Sequence, residues 1–140
     1  MNPKSKGVIT EHKVIAKLLQ LGYTVSSVIG DNSPYDIVLE IKNILYKVQI
    51  KTARRYKNSI IFNTESYRIN TKGYYKTNYE NKIDFFIVWL PEDDKFYMAK
   101  VEEVARGNAT LKDCETKNGQ KKNVSRAEDF ELELVLQKYK

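Results

Sequence analysis

Between Ser5 and Leu21 the apolar residues Val8, Val14, Ile15, Leu18 and Leu19 return at helical spacing, with Lys13, Lys17 and Gln20 on the opposite side. The pattern predicts an amphipathic helix that Gly22 ends. Tyr23 to Ile29 is rich in β-branched residues and predicts a first strand, followed by the turn formers Gly30-Asp31-Asn32-Ser33-Pro34. Asp36 to Ile41 and Ile44 to Lys51 are then two strands, and the short Lys42-Asn43 link suits an antiparallel hairpin. Along the second of them Ile44, Tyr46, Val48 and Ile50 share one face, while Leu45, Lys47, Gln49 and Lys51 share the other.

Further on, Ser59 to Asn63 is a short strand. The unbroken apolar run from Asp84 to Leu90, closed by Pro91-Glu92-Asp93-Asp94, is a buried strand. Lys95 to Lys100 alternates as a returning hairpin arm, and Val101 to Arg106 has the length of a short helix. Residues 108–123 are polar and lysine-rich, and are open to a loop or a strand pair. Ser125-Arg126-Ala127-Glu128 has the form of a capping box, yet Phe130, Leu132, Leu134 and Leu136 alternate with period two, so the tail is open to helix or strand. No internal repeat or low-complexity linker interrupts the chain, and one α/β or α+β domain is the economical expectation, with its core in residues 4–100 and an elaboration in 101–140.

Composition narrows the chemistry. A chain of 140 residues with 41% hydrophobic and 30% charged residues is expected to fold as one soluble globule burying roughly two thirds of its unfolded surface. No apolar run approaches the length of a membrane span and no apolar core follows Lys4 and Lys6, so neither membrane insertion nor a signal peptide is expected, and the cytoplasm is the expected compartment. The one cysteine, Cys114, and the one histidine, His12, leave no internal disulfide, no Cys/His zinc set and little room for thiol or Ser-His-Asp catalysis. The net charge of +6 is unevenly placed, with eleven Lys/Arg against five Asp/Glu in residues 1–70 and thirteen of each in residues 71–140. That excess suits either a solvated surface or a surface facing nucleic-acid phosphates.

Four polar residues sit where packing alone would not put them. Glu11 precedes Val14, Ile15 and Leu18 by three, four and seven residues, on or beside the apolar stripe of the first helix. Asp36 begins a strand directly after the Pro34 turn. Gln49 and Lys51 project from one face of the next strand with roots about 6.6 Å apart. If the hairpin forms, Asp36, Gln49 and Lys51 converge and the helix can bring Glu11 over them. Two carboxylates beside a lysine are apparatus for metal-assisted phosphodiester hydrolysis. Mg²⁺ takes oxygen ligands, usually one or two carboxylates, so Asp36 and Glu11 can supply the charge and the Gln49 side chain and Ile50 backbone carbonyl the neutral oxygens. Lys51 can stabilise developing charge and orient or deprotonate the attacking water. Bland roles stand beside these: an Asx-turn for Asp36, a macrodipole contact for Glu11, a solvated side chain for Lys51, and for His12 a solvent-facing or DNA-facing position. Glu40, four residues past Asp36 on the same strand face, is a substitute carboxylate that is more simply read as solvated.

The run Ser33-Pro34-Tyr35-Asp36, then Gln49-Ile50-Lys51, with Glu11 on the preceding helix, resembles the PD-(D/E)XK nuclease superfamily. The placement of Lys6-Gly7, Glu11, Gly22, Ser33, Asp36 and Gln49/Lys51 is similar to the archaeal Holliday junction resolvases. Ile83-Asp84-Phe85-Phe86-Ile87-Val88-Trp89 with Phe96-Tyr97 is more similar to the small PD-(D/E)XK homing endonucleases of bacterial group I introns. The resemblance covers about residues 4–100. It implies a restriction-endonuclease-like αβββαβ core, a central mixed sheet flanked by helices, and Mg²⁺- or Mn²⁺-dependent cleavage of double-stranded DNA at a specific site. Gln49 departs from the motif, which has an acid there, and some members with Gln remain active.

The resemblance also places Lys51-Thr52-Ala53-Arg54-Arg55-Tyr56-Lys57 beside the scissile phosphate, so Arg54, Arg55 and Lys57, joined by Lys47, are expected to hold the DNA backbone. Ser33 either bonds the turn backbone or contacts a phosphate. The stretch from Tyr67 to Tyr79 reads as a loop whose Arg68, Lys72, Tyr74 and Lys76 suit base edges and phosphates, although its tyrosines can equally pack under the domain. One active site per protomer means that cutting both strands needs a homo-oligomer, a dimer or a tetramer as in the intron enzymes. Two rivals stay open: a junction resolvase, and a DNA-binding module that lost catalysis through the Glu-to-Gln exchange.

Overall fold

The structure, a computed structural model of the 140-residue chain, describes all residues except 1, 31, 71–72, 79–80 and 114–124, and for 66–70 and 73–78 the backbone alone. Helix α1 (Pro3–Gln20) starts two residues earlier than its apolar periodicity suggests, because Asn2 caps it. The Asn2 side chain accepts the Ser5 N–H at 2.8 Å, and Pro3 occupies a position whose missing N–H costs nothing. Gly22, at φ +91°, turns the chain out of the helix in a conformation that a side chain would strain. No helix among the described residues is long and apolar enough to cross a membrane.

The central sheet has five strands in the order β1 (Thr24–Ser27), β2 (Ile37–Ile41), β3 (Ile44–Thr52), β8 (Phe85–Leu90) and β9 (Lys95–Lys100). All neighbours are antiparallel except β3 and β8, which run parallel with Gln49 opposite Phe86 and Lys51 opposite Val88. The β2–β3 hairpin turns through Lys42 (φ 50°) and Asn43 (φ 66°), the paired positive dihedrals that match the twist of two-residue hairpins.

One face of this sheet packs against helices. Val14 and Leu18 of α1, and Leu132, Val135 and Leu136 of α2 (Leu132–Gln137), bury Ile37, Leu39, Val48, Ile50, Phe85, Ile87 and Met98. On the other face Phe86, Val88, Leu90 and Tyr97 pack against Ile60, Phe62, Ala109 and Leu111 from a second, three-stranded sheet. Its order is β10 (Asn108–Lys112), β5 (Ser59–Asn63), β4 (Arg54–Tyr56). Strand β8 is therefore covered on both sides, which is why its sequence is a continuous apolar run rather than an alternation.

The fold class and the mixed central sheet agree with the sequence, three local expectations are corrected, and the tail, open to helix or strand, is settled. The crossover between parallel β3 and β8 is made, among the described residues, of strands β4 and β5 and the antiparallel pair β6 (Glu65–Asn70) and β7 (Gly73–Asn78), where an αβββαβ order puts a helix. The expected loop at 67–79 is thus largely a hairpin, its tyrosines and Ile69 being good strand formers. The expected capping box does not form: Arg126 precedes a 3₁₀ turn (Ala127–Phe130) without a side-chain cap, and Glu128 pairs with the Arg126 Nε at 2.8 Å. The tail is helical because Leu132, Val135 and Leu136 form the buried stripe, while Leu134 of the period-two pattern points outward. Of residues 108–123, the first five pair with β5, and 114–124 lie outside the described residues.

Candidate active site

Strand β2 starts at the site. Its first partnership with β3, Ile37 with Val48, is extended by the Asp36 N–H, which donates to the Val48 carbonyl at 2.9 Å. Before Asp36 the chain leaves the sheet through the Ser33-Pro34-Tyr35 turn, while β3 runs on for four residues beside β8. The Ile50 N–H is thereby left without a backbone partner on the β2 side, and the Asp36 carboxylate takes its place, Oδ2 accepting that N–H at 2.8 Å. A splayed strand pair stitched by an aspartate is the local frame of the site.

Gln49 and Lys51 project from β3 away from the buried Val48 and Ile50, onto the face shared with Asp36, and all three are half-buried. The Gln49 Nε2 donates to the Ile50 carbonyl at 3.4 Å. The Lys51 Nζ donates to the Glu65 carbonyl at 3.2 Å, at the root of β6. Burial pushes the Asp36 carboxyl up; the Ile50 N–H pulls it back, Glu11 repels it further upward and Lys51 draws it down. Burial likewise pushes the Lys51 ammonium down, against the attraction of Asp36. Glu11 and Lys51, from two other elements, thus both act electrostatically on Asp36.

Two carboxylates and one ammonium leave the cluster one negative charge in excess, with Asp36 and Glu11 repelling each other. Among the described residues no three His, Cys, Asp or Glu side chains group together as a ready metal cage. The donors present are oxygen only: two carboxylates, the Gln49 amide and the Ile50 carbonyl. That set fits a hard cation of the Mg²⁺ kind, which takes one or two carboxylates and fills its other positions with water and phosphate.

Around this cluster the predicted DNA contacts divide. Lys47, exposed, lies one step back on the same strand face with Nζ 5.7 Å from the Tyr35 ring centre. Arg54 and Lys57 are exposed on and beside β4, Lys57 over the Tyr56 ring at 5.5 Å. The Arg55 guanidinium, by contrast, is engaged by Asp93 and, at 2.7 Å, by Asp113. Ser33 accepts the Tyr35 N–H at 3.4 Å, the turn-bonding alternative. Arg68, Tyr74 and Lys76 lie on the β6–β7 hairpin and their side chains are outside the described residues, as is Lys72 altogether. His12 is exposed, its Nδ1 2.8 Å from the Val8 carbonyl. Glu40 pairs opposite Leu45, toward the far end of the hairpin from Gln49.

Sequence reasoning missed two residues beside the site. Thr10, only 1% exposed, sits 2.5 Å from the Thr52 hydroxyl, joining α1 to the end of β3. The spacing of Thr10, Val14 and Leu18 by fours was the available signal.

The model of the PD-(D/E)XK endonuclease family matches residues 1–133. The chain belongs to this family. Among solved structures it is similar to a bacterial homing endonuclease, I-Ssp6803I, with 28% identity and a TM-score of 0.77 over 99% of this chain and 95% of that one. No curated protein matches it.

Proposed function

We propose that this PD-(D/E)XK endonuclease is a divalent-metal-dependent enzyme of the homing type, cutting both strands of double-stranded DNA at a specific sequence as a homo-oligomer, dimeric or tetrameric. The observation that carries the reading is the Asp36 carboxylate bonded to the Ile50 N–H at the splayed end of β2 and β3, with Glu11 and Lys51 both acting electrostatically on it. The full-length likeness to a bacterial homing endonuclease supports the homing role.

Asp36 and Glu11, with the Gln49 and Ile50 carbonyl oxygens, would hold Mg²⁺ or Mn²⁺. When bound, such an ion supplies Lewis-acid polarisation of the scissile phosphoryl group. The chain's own residues do the rest. Asp36, fixed by the Ile50 N–H, offers its second oxygen in one direction only, so its charge is oriented before substrate arrives. Lys51, whose Nζ donates to the Glu65 carbonyl, would stabilise charge as water attacks phosphorus and the P–O bond to the leaving strand breaks. Because burial favours its neutral form, Lys51 is also suited to take a proton from that water. Exposed Lys47, Arg54 and Lys57 flank the cluster and grip the backbone, while readout of bases falls to the β6–β7 hairpin with Arg68, Lys72, Tyr74 and Lys76.

The test is cleavage of a random-sequence DNA library in Mg²⁺ by wild type, Asp36→Ala and Lys51→Ala. Recovery of one long, near-symmetric site with wild type alone supports the proposal. Cutting of four-way junctions regardless of sequence, or binding without cutting, overturns it.

A further inference from the structure

The buried stripe of α1 consists of Thr10, Val14 and Leu18, and Thr10 is its one polar member. Its hydroxyl donates to the Lys6 carbonyl one turn back at 3.0 Å. Since that uses its only proton, the 2.5 Å contact with Thr52 is one in which the Thr52 hydroxyl donates and Thr10 accepts. The contact falls at a sensitive place. Thr10 immediately precedes Glu11, and Thr52 immediately follows Lys51. Thr52 shares its strand face with Val48 and Ile50, so it meets α1 just where the apolar helix-facing stripe of β3 ends.

We infer that the Thr10–Thr52 hydroxyl pair is a positioning device of the active site, fixing how closely α1 lies on β3 and so holding the Glu11 carboxylate over Asp36. The inference rests on the metal-dependent nuclease reading given above. The magnitudes favour a positioning role over mere packing. Two hydroxyl oxygens in a hydrogen bond approach about 1 Å closer than two methyl groups can, since apolar carbons rest at about 3.5–4.0 Å. An apolar pair would pack as well and stabilise the fold, yet would lift the helix by about that difference. Displacements near 1 Å at reacting groups cost about a hundredfold in rate. Thr10 and Thr52 touch neither the phosphate nor the ion; they act through Glu11.

The test compares wild type with Thr10→Val, Thr52→Val and Thr10→Ser in the full chain. Mn²⁺ binding is followed by the free-ion paramagnetic resonance signal without DNA, Mg²⁺ is titrated in DNA cleavage, and thermal melting reports stability. Both valine variants are expected to raise the Mn²⁺ Kd and the Mg²⁺ half-saturation about tenfold, the scale of losing a group that orients a ligand. Thr10→Ser keeps the hydroxyl and is expected within about twofold of wild type. Adding Glu11→Gln to Thr10→Val is expected to cost less than Glu11→Gln costs wild type, because the ligand is already displaced. Valine variants that melt lower while binding and using metal as wild type does would overturn the positioning role. Should Thr10→Val fail to fold, Thr52→Val, on a half-exposed strand end, decides between the two roles by itself. Wild type that neither binds Mn²⁺ nor cleaves DNA would remove the nuclease reading and this inference with it.

Discussion

Asp36 accepts the Ile50 N–H at 2.8 Å through one carboxylate oxygen, which ties the aspartate to the strand carrying Gln49 and Lys51. The bond orients a charge the fold would otherwise disfavour: burial first, and Glu11 besides, push the Asp36 carboxyl up. A carboxyl raised above its unfolded value contributes stability below the unfolded pKa and loses it as pH rises through the folded one, so at neutral pH the ionised Asp36 is a burden on folding. Asp36→Asn keeps an acceptor for Ile50 and removes the charge. It is expected to melt higher than wild type in metal-free buffer at pH 7 while cutting DNA at least about a hundredfold more slowly. Calorimetry and single-turnover cleavage read the two halves, and a variant that melts lower contradicts the electrostatic account.

Gln49 donates its amide to the Ile50 carbonyl at 3.4 Å, and the proposed site puts it at the motif's acidic position. Restoring the acid adds a third carboxylate to the oxygen donors, and donor charge is the main lever on affinity for hard cations. Gln49→Glu is expected to lower the Mg²⁺ half-saturation about tenfold, a free-energy gain of about 1.4 kcal/mol. Without metal the extra charge repels Asp36 and Glu11, so the same variant melts lower in chelator. Titration of cleavage against Mg²⁺, and melting with and without the ion, would show both shifts. An unchanged metal requirement would place Gln49 outside the ion's reach.

Neighbouring arginines should answer differently. Arg54 is exposed, whereas Arg55 is bound to Asp93 and Asp113 and donates its backbone N–H to Glu92 at 3.0 Å. Arg54→Ala is expected to weaken DNA binding and lower the slope of log K against log salt by about one. Arg55→Ala leaves that slope unchanged and costs about 1 kcal/mol of stability, the scale of a partly exposed ion-pair network. Binding isotherms at several salt concentrations and denaturant unfolding separate the two roles. Equal loss of slope in both variants would show that Arg55 leaves its carboxylates for the phosphate.

That contrast also shows what sequence can and cannot disclose. Asp36, Gln49 and Lys51 were legible because strand alternation and a two-residue turn are local rules, and once β2 and β3 pair, the common face follows. Glu11 was legible from helical spacing against Val14 and Leu18. Arg55 was not, since Asp93 and Asp113 reach it from elements 38 and 58 residues away, and nothing near Arg55 announces them. The β6–β7 hairpin was hidden by polar strand residues, which lack the apolar alternation of a strand over a core. The tail hid its helix in the opposite way, because Leu134 completed a period-two pattern that Val135 breaks only when burial is known.

Tyr97 supplies a pH test away from the site. It lies on β9, 2% exposed, and burial first, then Asp113 and Glu131, push its phenol up to about 12 from the ordinary 10, with Asp93 adding and Arg55 opposing. Between those values the folded chain keeps a proton that the unfolded chain releases, so stability present below pH 10 is lost as pH climbs toward 12. The loss is about 1.4 kcal/mol per pH unit for this one group. Tyr97→Phe removes it, and subtraction of the two proteins' unfolding free energies cancels the lysines and other tyrosines that titrate in both. The difference should be flat up to about pH 10 and then move in favour of the variant with that slope. Parallel curves over the whole range would mean that the Tyr97 hydroxyl finds solvent or a donor and keeps its ordinary acidity.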